Sequence, residues 1–292
     1  MAVTFDSDFM RRLESLNIIA RKVFAGLLRA ERQSRKTGSS VEFADYRNYV
    51  PGDDFRHIDW NIYARTEEIL LKLFREEENL QLSVFIDCSA SMDFGTHNKF
   101  DYARMVAGAM SYIGLANLDS VNLMTFAGGL GARLRGARGK PAIFRTLKFI
   151  ERLSPERTTD LATSLNQFMA LVRRRGVQIV LSDFYAFEET VRALRALSFL
   201  KNDVFLIHVV DPWEEDPDLA GELRLRDVEL DAGENLSITR PLLRRYREAF
   251  AEHVRIVERT CRQNEWGYLR ADTGVPYDEL ILRMLRKQGL VR

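Results

Sequence analysis

The sequence predicts an α/β protein with a mostly parallel sheet and helices on both faces. From about residue 69 onward, short apolar runs alternate with segments of helical periodicity, a pattern typical of strand–helix–strand units that build parallel sheets. The run 82–86 is apolar at nearly every position, which is typical of a central strand covered on both faces. An additional helix precedes this region and a short hairpin interrupts it.

The individual elements follow from residue spacing. Apolar residues recur every three or four positions over 8–32, so we expect an N-terminal helix there that packs on its own domain. Strands are predicted at 69–74, 82–86, 121–126, 177–181, 204–210 and 266–270. Helices are predicted at 99–115, 142–153, 161–174, 188–200, 241–264 and 277–287. Residues 222–230 and 235–239 surround a glycine turn and predict an inserted hairpin. The stretch 126–140 is interpreted as a turn-rich excursion.

Composition excludes several classes of function. The chain has 292 residues and a net charge of +1, so bulk charge does not favour nucleic acid or an anionic membrane as a partner. Its two cysteines, Cys88 and Cys261, form no CxxC pair, which argues against a zinc site or a disulfide framework. The N-terminal residues lack a signal-peptide pattern and no apolar run approaches membrane-spanning length. We therefore expect a cytoplasmic protein without a membrane span.

Oxygen-bearing side chains follow two predicted strands. Asp87, Ser89 and Ser91 come directly after the apolar run, and Asp183 follows the strand at 177–181. Ligands bind outside the carboxyl ends of strands in open α/β sheets. Hydroxyls and carboxylates suit Mg²⁺, Mn²⁺ or Ca²⁺ better than zinc. The motif thus predicts part of a metal site, although Asp and Ser at these positions also serve as turn or helix-cap residues.

The segments DCSAS, TTD and LSD together resemble the metal-ion-dependent adhesion site of von Willebrand factor A-like domains. This resemblance implies a doubly wound, Rossmann-like fold over about 80–212. It also implies that Ser89, Ser91 and Thr159 contact the metal directly, and that Asp87 and Asp183 act largely through water. The TTD segment lacks the glycines that usually precede the threonine, so the assignment of Thr159 rather than Thr158 depends on the resemblance.

A second resemblance covers nearly the whole chain after residue 35. The segments RNYVPGDDFRHIDWNIYAR, FREEE, DCSASM and DPWEE, with the hairpin, resemble the bacterial domain-of-unknown-function family 58. This resemblance implies a metal-dependent interaction protein, often paired with a MoxR-type AAA+ ATPase. The corresponding organisation is an N-terminal helix and linker at 1–38, a family-specific strap and edge strand at 39–78, and the main domain at 79–292 with its hairpin at about 222–239.

Two classes of function fit a metal at this position. A non-enzymatic binding module would leave one coordination position open for a carboxylate from a partner. The alternative is a Mg²⁺-dependent hydrolase acting on phosphate esters, although an aspartyl phosphatase would need a second carboxylate where this chain has Ser89. A scaffold with an inactive metal site is a third possibility. The four histidines show no ligand spacing, and we assign no catalytic residue.

Residues 41–68, hereafter the strap, combine charged and aromatic residues without a clear period. An aromatic ring that stays in water contributes no free energy of burial, and a buried charge costs free energy unless it is paired. We therefore predict a non-helical strap with Trp60 largely buried. We also predict an ion pair from Arg56 or Arg65 to one of Asp53, Asp54 or Asp59. The alternative is a partner-binding surface formed by Arg47, Arg56, Trp60 and Arg65.

Overall fold

The structure is a computed structural model, and it describes residues 5–18, 37–38, 42–75, 81–116, 120–127, 130–155, 176–185, 191, 203–226 and 233–285. The chain divides into two compact units. The larger unit contains Met1–Val23 and Leu80–Arg292, and the smaller unit contains Phe24–Asn79.

Strands and helices have the following bounds. The strands are β1 Thr37–Gly38, β2 Glu42–Asn48, β3 Leu70–Arg75, β4 Gln81–Asp87, β5 Ser120–Phe126, β6 Leu130–Arg138, β7 Gly176–Ser182, β8 Asp203–Val210, β9 Gly221–Arg226, β10 Gly233–Ile238 and β11 Gly267–Asp272. The helices are α1 (7–18, where the described part ends), α2 Trp60–Thr66, α3 Lys99–Ala116, α4 Ile143–Glu151, α5 Pro212–Glu215, α6 Arg240–Gln263 and α7 Tyr277–Leu285.

The larger unit is built around a six-stranded sheet in the order β11-β8-β7-β4-β5-β6. All neighbouring strands are parallel except β5 and β6, which are antiparallel. In the central strand β4, Val84, Phe85 and Ile86 are fully buried, as expected for a strand covered on both faces. Helices flank this sheet. The prediction of an α/β fold with a mostly parallel sheet is confirmed.

One predicted element in this sheet is wrong. The stretch 126–140, interpreted as a turn-rich excursion, contains β6, an antiparallel strand from Leu130 to Arg138. Its pairing with β5 contains two register shifts, and Gly136 has a φ of 60°. Arginines such as Arg133 and Arg135 are exposed, because an edge strand needs few apolar residues. Irregular register and exposed charge together obscure the two-residue period in the sequence.

The elements around the sheet match most other predictions. The hairpin is confirmed as β9 and β10, which form a separate two-stranded antiparallel sheet. In α1, Phe9 and Leu13 are buried, and the Phe9 ring lies 5.1 Å from that of Tyr277. This helix therefore packs on the larger unit, as predicted. Residues 19–32, the predicted helix 161–174 and nearly all of the predicted helix 188–200 lie outside the described residues.

The smaller unit contains a three-stranded antiparallel sheet in the order β1-β3-β2. The prediction of a non-helical strap is wrong at residues 60–66, which form the helix α2, whereas residues 42–48 form the strand β2. Asp59 caps this helix by accepting hydrogen bonds from the amides of Asn61 and Ile62. Glu67, with a φ of 59°, ends it. The helix is too short to show a clear period in the sequence.

The strap's charges are paired at its surface. The predicted ion pair is confirmed between Arg56 and Asp54, whose Nη2 and Oδ2 atoms are 2.7 Å apart, whereas Arg65 donates to the carbonyl of Asn61. The predicted burial of Trp60 is wrong, since this residue is 60% exposed. Its ring makes an edge contact with Tyr63 on the same helix. Because Arg56 and Asp54 satisfy each other locally, this pair does not require a covering layer.

Candidate metal centre

Asp87 ends β4 with its carboxylate fixed by neighbouring groups. The residue is 2% exposed, and its Oδ1 accepts a hydrogen bond of 2.9 Å from the amide of Ser89. Its Oδ2 accepts one of 2.5 Å from the hydroxyl of Ser182 at the end of β7. Because β4 and β7 are adjacent and parallel, their last residues meet at the same end of the sheet, which we term the carboxyl edge.

The two serines of the motif direct their hydroxyls to one place. The Oγ atoms of Ser89 and Ser91 are 3.0 Å apart, on either side of the start of a 3-10 helix at Ala90–Met92. In an octahedral Mg²⁺ site with ligands at roughly 2.0–2.1 Å, neighbouring oxygens are about 2.9 Å apart. The spacing of this hydroxyl pair therefore fits two adjacent positions on one octahedral cation.

Asp183 brings a second buried carboxylate to the carboxyl edge. It follows β7 directly and is 3% exposed. Burial, and after it the negative charge of Asp183, raise the pKa of Asp87 to about 7, against the bonds that Asp87 accepts from Ser182 and Ser89. A cation at this edge would favour the ionised form of Asp87. The donor set of two hydroxyls and two carboxylates thus fits a hard divalent metal.

The resemblance also predicts a threonine as a metal ligand. Thr159 and its neighbours Thr158 and Asp160 lie outside the described residues. Within the described part of the chain, there is no group of three or more His, Cys, Asp and Glu side chains that could hold a metal. A site in which hydroxyls make the direct contacts would not form such a group, so its fit is judged by the serine pair.

A buried lysine that was not predicted from the sequence lies beside Asp183. Lys99 is fully buried, and its Nζ lies 2.9 Å from Asp183 Oδ2 and 2.6 Å from Glu214 Oε1. Burial alone would lower the pKa of Lys99, but the charges of Asp183 and Glu214 hold it above its ordinary value. A lysine in the first turn of a predicted helix is a usable signal, because the helix dipole disfavours a cation there unless carboxylates compensate.

The loop that follows the serine motif contacts the end of the neighbouring strand β8. Gly95, with a φ of 100°, lies against Asp211 at the end of β8, and a Cβ at this position would overlap the Asp211 carboxylate. The same carboxylate accepts hydrogen bonds from the amide of His97 at 3.3 Å and the hydroxyl of Thr273 at 2.8 Å. Glycine at this position thus lets the loop after the serine motif reach the end of β8.

The four predicted partner-binding residues lie in the smaller unit. Arg56, Trp60 and Arg65 are exposed. The guanidinium of Arg47 forms two bonds to Asp53, of 2.8 and 2.7 Å. Phe55, at 68% exposure, adds a second large exposed ring to this part of the chain.

No helix among the described residues has the length and apolar character needed to cross a membrane.

Residues 45–259 match the model of a protein family described as "Protein of unknown function DUF58". An uncharacterized protein of Mycobacterium tuberculosis strain H37Rv is 27% identical over 262 residues, which is 88% of this chain and 82% of the relative. A shorter uncharacterized protein of Mycobacterium avium is 30% identical over 128 residues, or 44% of this chain and 75% of the relative.

Solved structures also resemble this chain at low sequence identity. The conserved hypothetical protein BatB from Bacteroides thetaiotaomicron is 15% identical with a TM-score of 0.45, covering 73% of this chain and 100% of that one. An aerotolerance-related membrane protein from Bacteroides fragilis is 16% identical with a TM-score of 0.46, covering 71% and 99% of the two chains.

Proposed function

Since the chain belongs to the DUF58 family, whose description names no function, we propose one from the carboxyl edge itself. The protein is a non-enzymatic interaction module that binds its partner through a divalent cation at a metal-ion-dependent adhesion site. The observation that carries this proposal is the pair of Ser89 and Ser91 hydroxyls, 3.0 Å apart, beside two buried carboxylates.

Each residue of the site has a stated role in the proposal. Ser89, Ser91 and Thr159 would contact Mg²⁺ (or Mn²⁺ or Ca²⁺) directly, and Asp87 and Asp183 would act largely through water. The cation would supply an open position for an oxygen ligand. Ser182 and the Ser89 amide already hold both oxygens of Asp87, so its orientation is fixed before any metal binds.

The chemistry of the edge supports binding rather than hydrolysis. An aspartyl phosphatase needs an acidic group two positions after its nucleophile, and Ser89 occupies that position. Both oxygens of Asp87 accept internal hydrogen bonds, which restrains it from attacking a substrate. A carboxylate from a partner needs only the open metal position, without any group that moves a proton.

The proposed partner is a MoxR-type AAA+ ATPase, for which the support is the family resemblance. The protein would then act in the cytoplasm as an adaptor in protein assembly or activation. The exposed strap residues Arg47, Arg56, Trp60 and Arg65 are proposed as a second contact for this partner. The support for that contact is the exposure of Trp60 and Phe55, because large rings left in water become favourable contacts when a partner covers them.

A capture experiment with a purified MoxR-type AAA+ ATPase tests the proposal. The immobilised protein should retain the ATPase in Mg²⁺ and release it in EDTA. The Ser89→Ala/Ser91→Ala variant should retain none in either condition, whereas Ser83→Ala, which changes a serine of β4 before the motif, should behave as the wild type. Equal retention by all three proteins in EDTA would contradict a metal-dependent contact.

A further inference from the structure

Lys99 carries a charge that the proposed binding function does not explain. Its ammonium group is fully buried at the start of α3, where the helix dipole disfavours a positive charge. It contacts two carboxylates, Asp183 Oδ2 at 2.9 Å and Glu214 Oε1 at 2.6 Å. A buried lysine is tolerated only where such partners compensate for the loss of water.

Glu214 holds the ammonium group in place from the other side. Its Oε1 also accepts a 2.8 Å hydrogen bond from the hydroxyl of Tyr185, and its Oε2 accepts one of 3.1 Å from the amide of Asp211. Its backbone carbonyl accepts a further bond from the hydroxyl of Tyr246 at 2.8 Å. Glu214 is therefore anchored independently of Lys99. The lysine keeps this fixed partner even if Asp183 turns toward a metal.

Aromatic rings cover the same ammonium group. The Nζ of Lys99 lies 5.1 Å from the ring centre of Tyr185 and 5.8 Å from that of Phe94. Both distances are within the range of cation–π attraction. The rings also separate the ammonium group from water, so its charge acts at low effective dielectric on the adjacent metal position.

We propose that Lys99 is a positioning residue that occupies one oxygen of Asp183 and so keeps the site weak for metal until a partner adds its own carboxylate. This inference rests on the proposed function. The fixed ammonium neutralises Asp183 in the metal-free protein, so the fold does not depend on the metal. It also repels an incoming cation and occupies one Asp183 oxygen that would otherwise accept a hydrogen bond from a metal-bound water. Metal and partner then bind as a pair, and neither binds tightly alone.

Two variants of the Lys99–Glu214 pair should change the affinity for Mn²⁺ in opposite directions. In Lys99→Met/Glu214→Gln the ammonium and its anchoring charge are removed together, which avoids leaving an unpaired Glu214. Calorimetry should show Mn²⁺ binding tighter by about tenfold or more, because a nearby positive charge is gone and Asp183 is free. In Glu214→Gln alone, Lys99 keeps Asp183 as its one charged partner, and Mn²⁺ binding should become weaker than in the wild type.

The smaller unit supplies a matched control. Lys72 and Asp59 form a comparable pair there, with Nζ and Oδ2 3.0 Å apart and the aspartate 7% exposed. The variant Lys72→Met/Asp59→Asn should leave Mn²⁺ affinity unchanged. A second readout is thermal: the melting temperature should rise with Mn²⁺ far more in Lys99→Met/Glu214→Gln than in the wild type, since tighter binding stabilises the folded state more.

The outcomes separate this inference from the proposed function. If Ser89→Ala/Ser91→Ala binds Mn²⁺ as tightly as the wild type, the metal site itself is wrong. If the serine variant loses Mn²⁺ but the folded Lys99→Met/Glu214→Gln protein binds it equally or more weakly, the role of Lys99 is overturned. Should that double variant fail to fold, unchanged or tighter binding by Glu214→Gln alone would overturn it as well.

Discussion

The carboxyl edge and the strap both contain ion pairs and aromatic rings, but the ion pairs of the edge are buried whereas those compared in the strap are exposed. At the edge, Lys99 and its partners Asp183 and Glu214 are no more than 7% exposed. In the strap, the Arg56 and Asp54 side chains are 77% and 37% exposed. Aromatic rings cover the ammonium group at the edge, whereas Trp60 in the strap is exposed.

Sequence separation explains this difference. The pairs of Lys99 with Asp183 and Glu214 join residues 84 and 115 positions apart, so they form only when the sheet and helices assemble. The Arg56–Asp54 pair spans two positions and can form without any tertiary structure. A charge satisfied locally can stay at the surface, whereas a charge satisfied at long range is enclosed by the elements that it joins. Removing one partner should therefore cost far more at the edge.

The largest effect on stability is expected at Lys99. Lys99→Met leaves Asp183 and Glu214 buried without their shared cation and should lower the free energy of unfolding by about 3–5 kcal/mol. Arg56→Met is the matched substitution in the strap and should leave the urea midpoint where it is, because exposed ion pairs contribute little. Equal urea midpoints for the two variants would contradict the expected difference in stability between the edge and the strap.

Among the described carboxylates of the strap, Asp59 is buried and is expected to contribute to stability as the buried charges of the edge do. Burial alone would raise its pKa, but bonds from Lys72, Tyr46 and the first amides of α2 lower it to about 2. Because the folded pKa lies below the unfolded value, this stabilisation is complete above about pH 4 and is lost as the pH falls toward 2.

Hydrogen exchange in peptides from 42–75 measures this contribution. Asp59→Ala should reduce protection at pH 7, and the difference from the wild type should shrink on acidification to pH 3. Asp45→Asn, which changes an exposed carboxylate in β2, should leave protection unchanged. If Asp59→Ala and the wild type are equally protected at pH 7, Asp59 belongs with the exposed charges of the strap.

Trp60→Ala should have only a small effect on stability. Because the side chain is 60% exposed, Trp60→Ala should change the free energy of unfolding by less than about 1 kcal/mol. The same variant should weaken capture of the ATPase in Mg²⁺ if the strap is a second contact. A large loss of stability would show that the ring is covered in solution, and undiminished capture would remove the strap from the proposed interface.

Patterns of short range made most of the fold predictable. The alternation of apolar strands and amphipathic helices gave the sheet, and strand ends gave Asp87, Ser89, Ser91 and Asp183 as candidate ligands. The structure places these four at one edge, although their role with a metal stays a prediction. Lys99 and Glu214 were missed because their link spans 115 positions. The burial of Trp60 was wrongly predicted because ring content alone does not show whether an element covers the ring.

Calorimetric titration with Mn²⁺ tests the central claim, that the Ser89 and Ser91 hydroxyls hold a divalent cation. Wild type and Ser83→Ala, which alters a buried serine of β4 away from the edge, should bind Mn²⁺ with the same affinity. The Ser89→Ala/Ser91→Ala variant should show no binding heat while keeping the wild-type melting temperature in EDTA. Unchanged Mn²⁺ affinity in that folded double variant would contradict the account.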